Sequence, residues 1–314
     1  MSGVAYGGQA LIEGVLVRGR RAVAVALRRP DGQIVWATEP LGGRLREGRW
    51  SRLPLLRGLV VLYDTLVVGT RWLLRSADLQ ASAQGVELGR GSVAAALVVS
   101  LAAGIGLFFL LPLATASAAL GGADATVQHL AEGLVRVVVF LGYLALIALA
   151  PDVRRVFQYH GAEHMAIHAL EHGDALTVER VRNYPTAHPR CGTEFLAVVV
   201  ILSILVFSLV GRQEPLIMVG SRILLVPVVA ALAYEVLRWG ARRRTNPLVA
   251  LLFWPGILVQ RITARPPTDA MVEVAIVSLE EAMAADGVPL PPGSRSLPRL
   301  PLATGEGEAP EVTP

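Results

Sequence analysis

Apolar positions change character three times along the chain. Up to residue 52 the apolar runs are short, at residues 10–17, 22–27 and 33–38, with Pro30-Asp31-Gly32 between the last two. That turn chemistry predicts a hairpin and a small β unit over 1–52, with 10–17 as a further strand. Residues 53–75 are long, apolar and helical in pattern, interrupted by Arg57, Asp64 and Arg71 at seven-residue spacing, with Arg75 one turn on. The charges fall on one narrow stripe, so this helix is expected in the membrane interface or on the membrane domain, the stripe facing protein or water. A polar linker follows over 76–90. Apolar runs at 93–120 (with Pro112 as a kink), 134–150, 195–210 and 222–239 (with Pro227 inside) are then expected to cross a bilayer. Arg136, near the start of the second run, is expected to snorkel to the outer surface. Residues 248–259, with Pro255-Gly256, are too short to cross and read as re-entrant or interfacial. Residues 269–285 read as an amphipathic helix, and the Pro-, Gly- and Glu-rich stretch from Gly287 as a tail without stable structure.

The predicted fold class is therefore an α-helical integral membrane protein with about four transmembrane helices and a small N-terminal β-containing unit. Its divisions are a β unit over 1–52, a helix and linker over 53–90, a transmembrane domain over 91–265 that includes a loop at 151–194, a helix over 266–286 and a tail over 287–314. Composition agrees: 53% of residues are hydrophobic, 17% are charged and the mean hydropathy is +0.53, well above a soluble protein of this size. The formal charge is +4, carried by Arg without any Lys, which does not argue for nucleic acid. Arginine is dense over 1–90, 151–194 and 238–265, absent from 121–130, and present once over 211–221. The positive-inside rule then places the N-terminus, the 151–194 loop and the C-terminus in the cytoplasm of a multi-pass protein. The single cysteine excludes an intrachain disulfide. No cleavable signal peptide and no internal repeat are evident.

Candidate chemistry lies in the loop. Five of the six histidines stand at 160, 164, 168, 172 and 188. Each step of four residues turns an α-helix by only about 40°, so the first four share one face. Pro151 and Asp152 predict the start of this helix and Gly173 its end; a second short helix is expected over 176–183. Residues 160–164 read H-x-x-E-H, two histidines one turn apart with Glu163 beside them, the inverted spacing of zinc hydrolases. The line from His160 to His172 is about 18 Å long, so one ion would take an adjacent pair, His160 and His164. His188 or Cys191 could close the site, and Cys would favour zinc. Glu171, about 10 Å along the helix from His164, suits a second ion or an outer-shell role. Glu235 is a further candidate, although an i, i+3 pair with Arg238 accounts for it. The alternative for each histidine is a solvated helix face, and His172, in the last turn, is favoured there by the helix dipole alone.

The sequence resembles the YqhQ family, bacterial membrane proteins of unknown function labelled as predicted metal-dependent enzymes. The resemblance runs from about residue 7 to about residue 279. It is carried by Gly7-Gly8-Gln9-Ala10-Leu11-Ile12-Glu13, Arg18-Gly19, Tyr159-His160-Gly161-Ala162-Glu163-His164, Glu171, His188-Pro189-Arg190-Cys191-Gly192-Thr193, Tyr234-Glu235, Pro255-Gly256, Gln260-Arg261, Thr263 and Glu273. It implies His160, Glu163, His164, Glu171, His188 and Cys191 as the best site candidates, and raises Gln9 and Glu13 beside them; Arg18 and Thr193 belong to the same matched segments. His168 and His172 are not implied. Met165-Ala166 stands where the family has Lys-Thr, and Thr263-Ala264-Arg265-Pro266-Pro267 where it has a Thr-Thr-x-Glu-Pro segment. Neither a lysine in the chemistry nor an acidic residue after Thr263 is therefore implied.

Two functional readings stay open. In the first, the chain is a metal-dependent enzyme of the bacterial inner membrane, a hydrolase with a divalent ion, zinc being the candidate, on His160 and His164. Glu163 would handle the proton of a water, Cys191, His188 or Glu171 would complete the ligands, and Arg190 would bind an anionic group of a lipid or membrane-associated substrate. In the second, it is a non-catalytic scaffold or biogenesis factor for a membrane-protein partner, with Glu13, Arg18, His164 and Arg190 as buried polar pairs. A transporter ranks third, because few charges fall within the spans and no midplane ion path is visible.

Overall fold

Residues 7–40 form four antiparallel strands in chain order: β1 (Gly7–Leu11), β2 (Gly14–Arg18), β3 (Ala22–Arg28) and β4 (Ile34–Pro40). Their register pairs Gly8 with Val17, Val15 with Ala26, and Val25 with Ala37. In the β3–β4 turn Gly32 takes φ 86° and Asp31 Oδ1 accepts the Gln33 N–H at 3.0 Å. This computed structural model describes residues 5–42, 48, 53–86, 89–189, 191–210, 214–243 and 246–302.

The helices follow: α1 (Leu56–Ser82), α2 (Arg90–Ile105), a π-helical turn at Gly106–Leu110, α3 (Leu111–Leu120), α4 (Ala125–Ile147), α5 (Pro151–His172), α6 (Val178–Val181), α7 (Thr193–Val210), α8 (Pro215–Ala241), α9 (Pro247–Thr263) and α10 (Asp269–Asp286). Among the described residues, four helical stretches are long and apolar enough to cross a membrane: Gly91–Leu120, Thr126–Ile147, Thr193–Val210 and Leu224–Ala241. Helix α5 starts with Pro151 at its first turn and ends on Gly173 at φ 75°, the caps its sequence predicts.

The sheet is covered on both faces, which explains why β3 is almost continuously apolar rather than alternating. Val15, Val17, Ala24 and Ala26 join α5 and α10 in one core. Leu16, Val23, Val25 and Val35 join Val68 and Trp72 of α1 in another. The charge stripe of α1 faces protein. Arg57 binds Glu235 of α8, Asp64 binds Arg18 of β2, and Arg71 binds Glu39 of β4. Helix α1 is thereby fixed between sheet and membrane domain, and it runs on to Ser82, into the first half of the expected linker. Glu235 is held by Arg57 Nε at 2.7 Å and by the Leu55 N–H at 3.2 Å, so the expected pairing with Arg238 is replaced by a contact between helices.

Helix α10 departs from expectation. It is not amphipathic at a surface but buried nearly all round, between the sheet and α5. Its polar side chains find protein partners instead of water. Ser278 donates to Ala24 O at 3.1 Å, Asp286 accepts the N–H groups of Arg20 and Arg21 at 2.8 and 2.7 Å, and Arg299 binds both Glu280 and Glu281. The stretch after Gly287, expected to lack structure, packs Val288, Leu290 and Leu297 on this core. It ends in β5 (Leu300–Pro301), parallel to β4, with the Leu302 N–H donating to Trp36 O at 2.7 Å. Three apolar anchors and the open edge of β4 hold it; the rest of the expected tail, 303–314, lies outside the described residues.

One guanidinium serves two buried carboxylates here, and burial raises the pKa of both Glu280 and Glu281 above the usual carboxylate range. A raised acid pKa means the folded state binds protons more readily than the unfolded one. Stability is then fullest at low pH and declines as pH rises through the folded pKa. Glu281→Gln, which keeps the Arg299–Glu280 pair, is expected to raise the melting temperature at pH 8 and leave it unchanged at pH 4. Thermal melts at the two pH values check this.

Arg136 does not snorkel. It is the twelfth residue of the 23 in α4, buried, and it donates to Glu132 Oε1 at 2.6 Å, Ser203 Oγ at 2.9 Å and Phe108 O at 3.0 Å. Its guanidinium also lies over the Phe109 and Phe207 rings. The π-helical turn alters the i→i−4 bonding around Phe108, and its carbonyl turns to the cation. Here the helix carries a neutralised i, i+4 ion pair at depth; the span expected over 134–150 left Glu132 outside it.

Helix α9, with 17 residues, lies across the ends of α7 and α8: a Cβ on Gly256 would meet Glu194, and one on Gly240 would meet Phe253. Its last turn reaches the histidine face of α5.

Candidate metal centre

The spacing of four residues along α5 brings the His160 and His164 rings to 4.3 Å between centroids. Each ring is oriented by a backbone carbonyl from another element. His160 Nδ1 lies 2.8 Å from Thr263 O at the end of α9, and His164 Nδ1 lies 2.5 Å from Thr186 O. A carbonyl only accepts, so both Nδ1 atoms carry the proton and both Nε2 atoms present a lone pair. This is the arrangement that orients imidazoles for a metal. His160 Nε2 is 3.1 Å from Cys191 Sγ, and the ligand atoms of His160, His164 and Cys191 all lie within 4.8 Å of one another.

Thr193 supports the sulfur from behind, its N–H and Oγ1 lying 3.4 and 3.3 Å from Sγ. Burial pushes the Cys191 thiol up to about 12, with the Glu163 carboxylate adding to the shift and the Thr193 hydrogen bonds opposing it. Burial likewise holds His164 down at about 2, keeping its imidazole neutral. The donor set therefore fits a zinc-class ion: two imidazoles whose Nδ1 atoms are tied to carbonyls, leaving Nε2 for the metal, and one sulfur that gives up its proton to a cation. A tetrahedral ion needs roughly 3.6 Å between such nitrogen and sulfur atoms, so the pair would open by about half an ångström.

Glu163 is buried beside this group, its Oε2 3.8 Å from His164 Nε2. Burial raises its pKa to about 7, against the opposing effects of His160 and a hydrogen bond from the Gly8 N–H. Strand β1 supplies that N–H at a position where a Cβ would meet Leu16 O at 2.3 Å and Glu163 Cγ at 3.1 Å. Only glycine lets the strand approach the carboxylate this closely. The Gln9 side chain sits against Gly69 of α1. Glu163, His164, His188 and Cys191 face a cavity of about 570 Å³ whose other walls include Gln9, Arg18, Thr65 and Tyr234.

The remaining candidates divide. Arg18 lines the cavity while bound to Asp64, with Thr65 Oγ1 at 3.3 Å. Glu13 does not reach the site. It occupies the β1–β2 turn at φ 54° and binds Arg155 through two contacts of 2.6 Å, with the Tyr159 hydroxyl donating at 3.2 Å. His188 and Glu171 lie together, Nε2 to Oε2 3.3 Å, but with His168 rather than with the first group. Arg190 lies outside the described residues. Sequence reasoning missed the carbonyls of Thr263 and Thr186, which no side-chain motif reports. It also missed the role of Gln260, which accepts the His188 N–H at 2.8 Å and donates to His188 O at 3.0 Å. The double hydrogen bond pins the strip that carries Cys191.

A family model described as "Protein of unknown function (DUF1385)" matches residues 53–285. The chain is also similar to "Uncharacterized protein YqhQ" of Bacillus subtilis (strain 168), at 32% identity over 297 residues, covering 89% of this chain and 92% of that protein. No solved structure matches. With nearly its whole length aligned to YqhQ, and the family model extending from α1 through almost all of α10, the chain belongs to the DUF1385 family.

Proposed function

We infer that this membrane protein is a metal-dependent hydrolase acting at the cytoplasmic face on a lipid or membrane-associated substrate. The observation that carries the reading is the convergence of His160 Nε2, His164 Nε2 and Cys191 Sγ beside a buried carboxylate at a cavity wall. When bound, a divalent ion of the zinc class would lower the pKa of a bound water and polarise a substrate oxygen. The protein's own part is then proton handling and placement. Glu163, raised to about 7, is suited to take a proton near neutral pH and return it to a leaving group. The Gly8 N–H fixes its carboxylate. Val61 and Val68 give the cavity apolar wall, and Tyr234 lies near the end of an apolar helix. Both favour a substrate held by the bilayer. Arg18 supplies a cation in the wall, shared with Asp64.

The test compares Glu163→Gln with wild type for fold, zinc content and restoration of function in cells lacking the protein. The amide keeps the shape of the carboxylate but cannot take the proton. Retained zinc with lost function is the expected result; full function in Glu163→Gln would remove the acid–base role.

A further inference from the structure

Beyond the first group, a second set of ligand atoms closes on the same helix. His168, Glu171 and His188 each bring one to within 4.8 Å of the others. We propose that these three residues form a separate binding site for a second divalent ion of the zinc class, whose task is to clamp the Cys191-bearing strip to α5.

The geometry has three parts. His168 and Glu171 are i and i+3 on the last turns of α5, so their side chains lie on adjacent positions of one face. His168 Nε2 lies 2.9 Å from Ala187 O, which fixes the proton there and presents Nδ1 as the ligand atom. The Tyr184 ring stacks on the His168 ring, 6.0 Å between centroids and 6° between planes. His188 comes from the strip, its backbone pinned by Gln260. Its Nε2 stands 3.3 Å from Glu171 Oε2. Two ligands of a tetrahedral ion, each about 2.1 Å from the metal, stand roughly 3.4 Å apart, so this pair needs almost no movement to share one.

The two groups have no residue in common. On α5 the ligands of the two groups are centred about 11 Å apart in helical rise; His188 brings its ring to 5.7 Å from that of His164, but no ligand bridges the groups as in two-metal centres of about 3.5–4 Å spacing. Two independent ions follow, rather than a bridged pair. Of the three ligands only His188 faces the cavity, which makes the second ion a clamp rather than a participant in the reaction. Its donor set contains no thiol, so it is distinguishable by spectroscopy from the site proposed above and does not depend on that site being filled.

The experiment counts metal in full-length protein purified in detergent, equilibrated with zinc and freed of excess. Two ions per chain are expected in wild type, and one in His168→Ala and in the shape-conserving Glu171→Gln. The His160→Ala/Cys191→Ala variant is expected to keep the ion that these two lose. With cobalt(II) instead of zinc, the thiolate-to-metal absorption band should survive His168→Ala unchanged. A zinc count unaffected by both His168→Ala and Glu171→Gln overturns the proposal. So does complete loss of metal from the His160→Ala/Cys191→Ala variant while its α-helical spectrum is retained, since that means one shared ion. If wild type and the His160→Ala/Cys191→Ala variant bind equally, and His168→Ala binds less, the clamp stands and the catalytic site falls.

Discussion

Arg136→Leu is expected to be among the most destabilising single changes in the chain, by about 3–5 kcal/mol. The substitution leaves the Glu132 carboxylate buried within the span without its cation, at a depth where water does not compensate. It also takes the donors from Ser203 Oγ and Phe108 O. His129 does not stand in for the guanidinium: its Nδ1 is 3.7 Å from Glu132 Oε2, beyond hydrogen-bond distance. The double variant Glu132→Gln/Arg136→Met removes both charges and is expected to recover most of the loss, since a buried pair contributes far less than its broken half costs. Thermal unfolding in lipid nanodiscs measures both variants. A double variant as unstable as Arg136→Leu would place the cost in packing rather than in charge.

Cys191→Ala is expected to weaken zinc binding by at least about 100-fold. Loss of an outer-shell partner alone typically costs 10–100-fold, and here a direct ligand would be removed. The two imidazoles remain aligned by Thr263 O and Thr186 O, so weak binding persists rather than vanishing. Glu13→Ala is the matched control. Its carboxylate is held by Arg155, so its removal should lower stability without changing affinity. Competition against a chromophoric chelator gives both numbers. With Glu171→Gln present throughout to remove the second ion, equal affinity with and without Cys191→Ala would exclude the sulfur from the ligand set.

Local rules made much of this molecule legible. Gly32 and Gly173 lie at positive φ where turn and cap chemistry expects them. The span helices follow from apolar length, and the histidine face from steps of four residues. Three features were hidden for one physical reason: their partners are remote in sequence. Arg136 reads as a surface charge until Ser203 and the carbonyl of the π-helical turn meet it. Helix α10 reads as amphipathic until Arg299 and the backbone of Arg20 and Arg21 satisfy its carboxylates. In the site, residue types pointed to His160, His164 and Cys191, but the orientation of the rings is set by carbonyls of Thr263 and Thr186, which any residue could supply. Glu13 shows the converse case, a residue matched by resemblance that the fold places in a turn at positive φ, bound to Arg155.

The ligand environment of one zinc ion decides whether Cys191 and the two imidazoles meet on a metal. Protein carrying Glu171→Gln, loaded with one equivalent of zinc, is examined by X-ray absorption at the zinc edge. One sulfur at about 2.3 Å and two imidazole nitrogens at about 2.0–2.1 Å are expected, with the sulfur contribution absent after Cys191→Ala. A shell of oxygen and nitrogen alone, or zinc that washes out of the folded protein, would contradict that coordination.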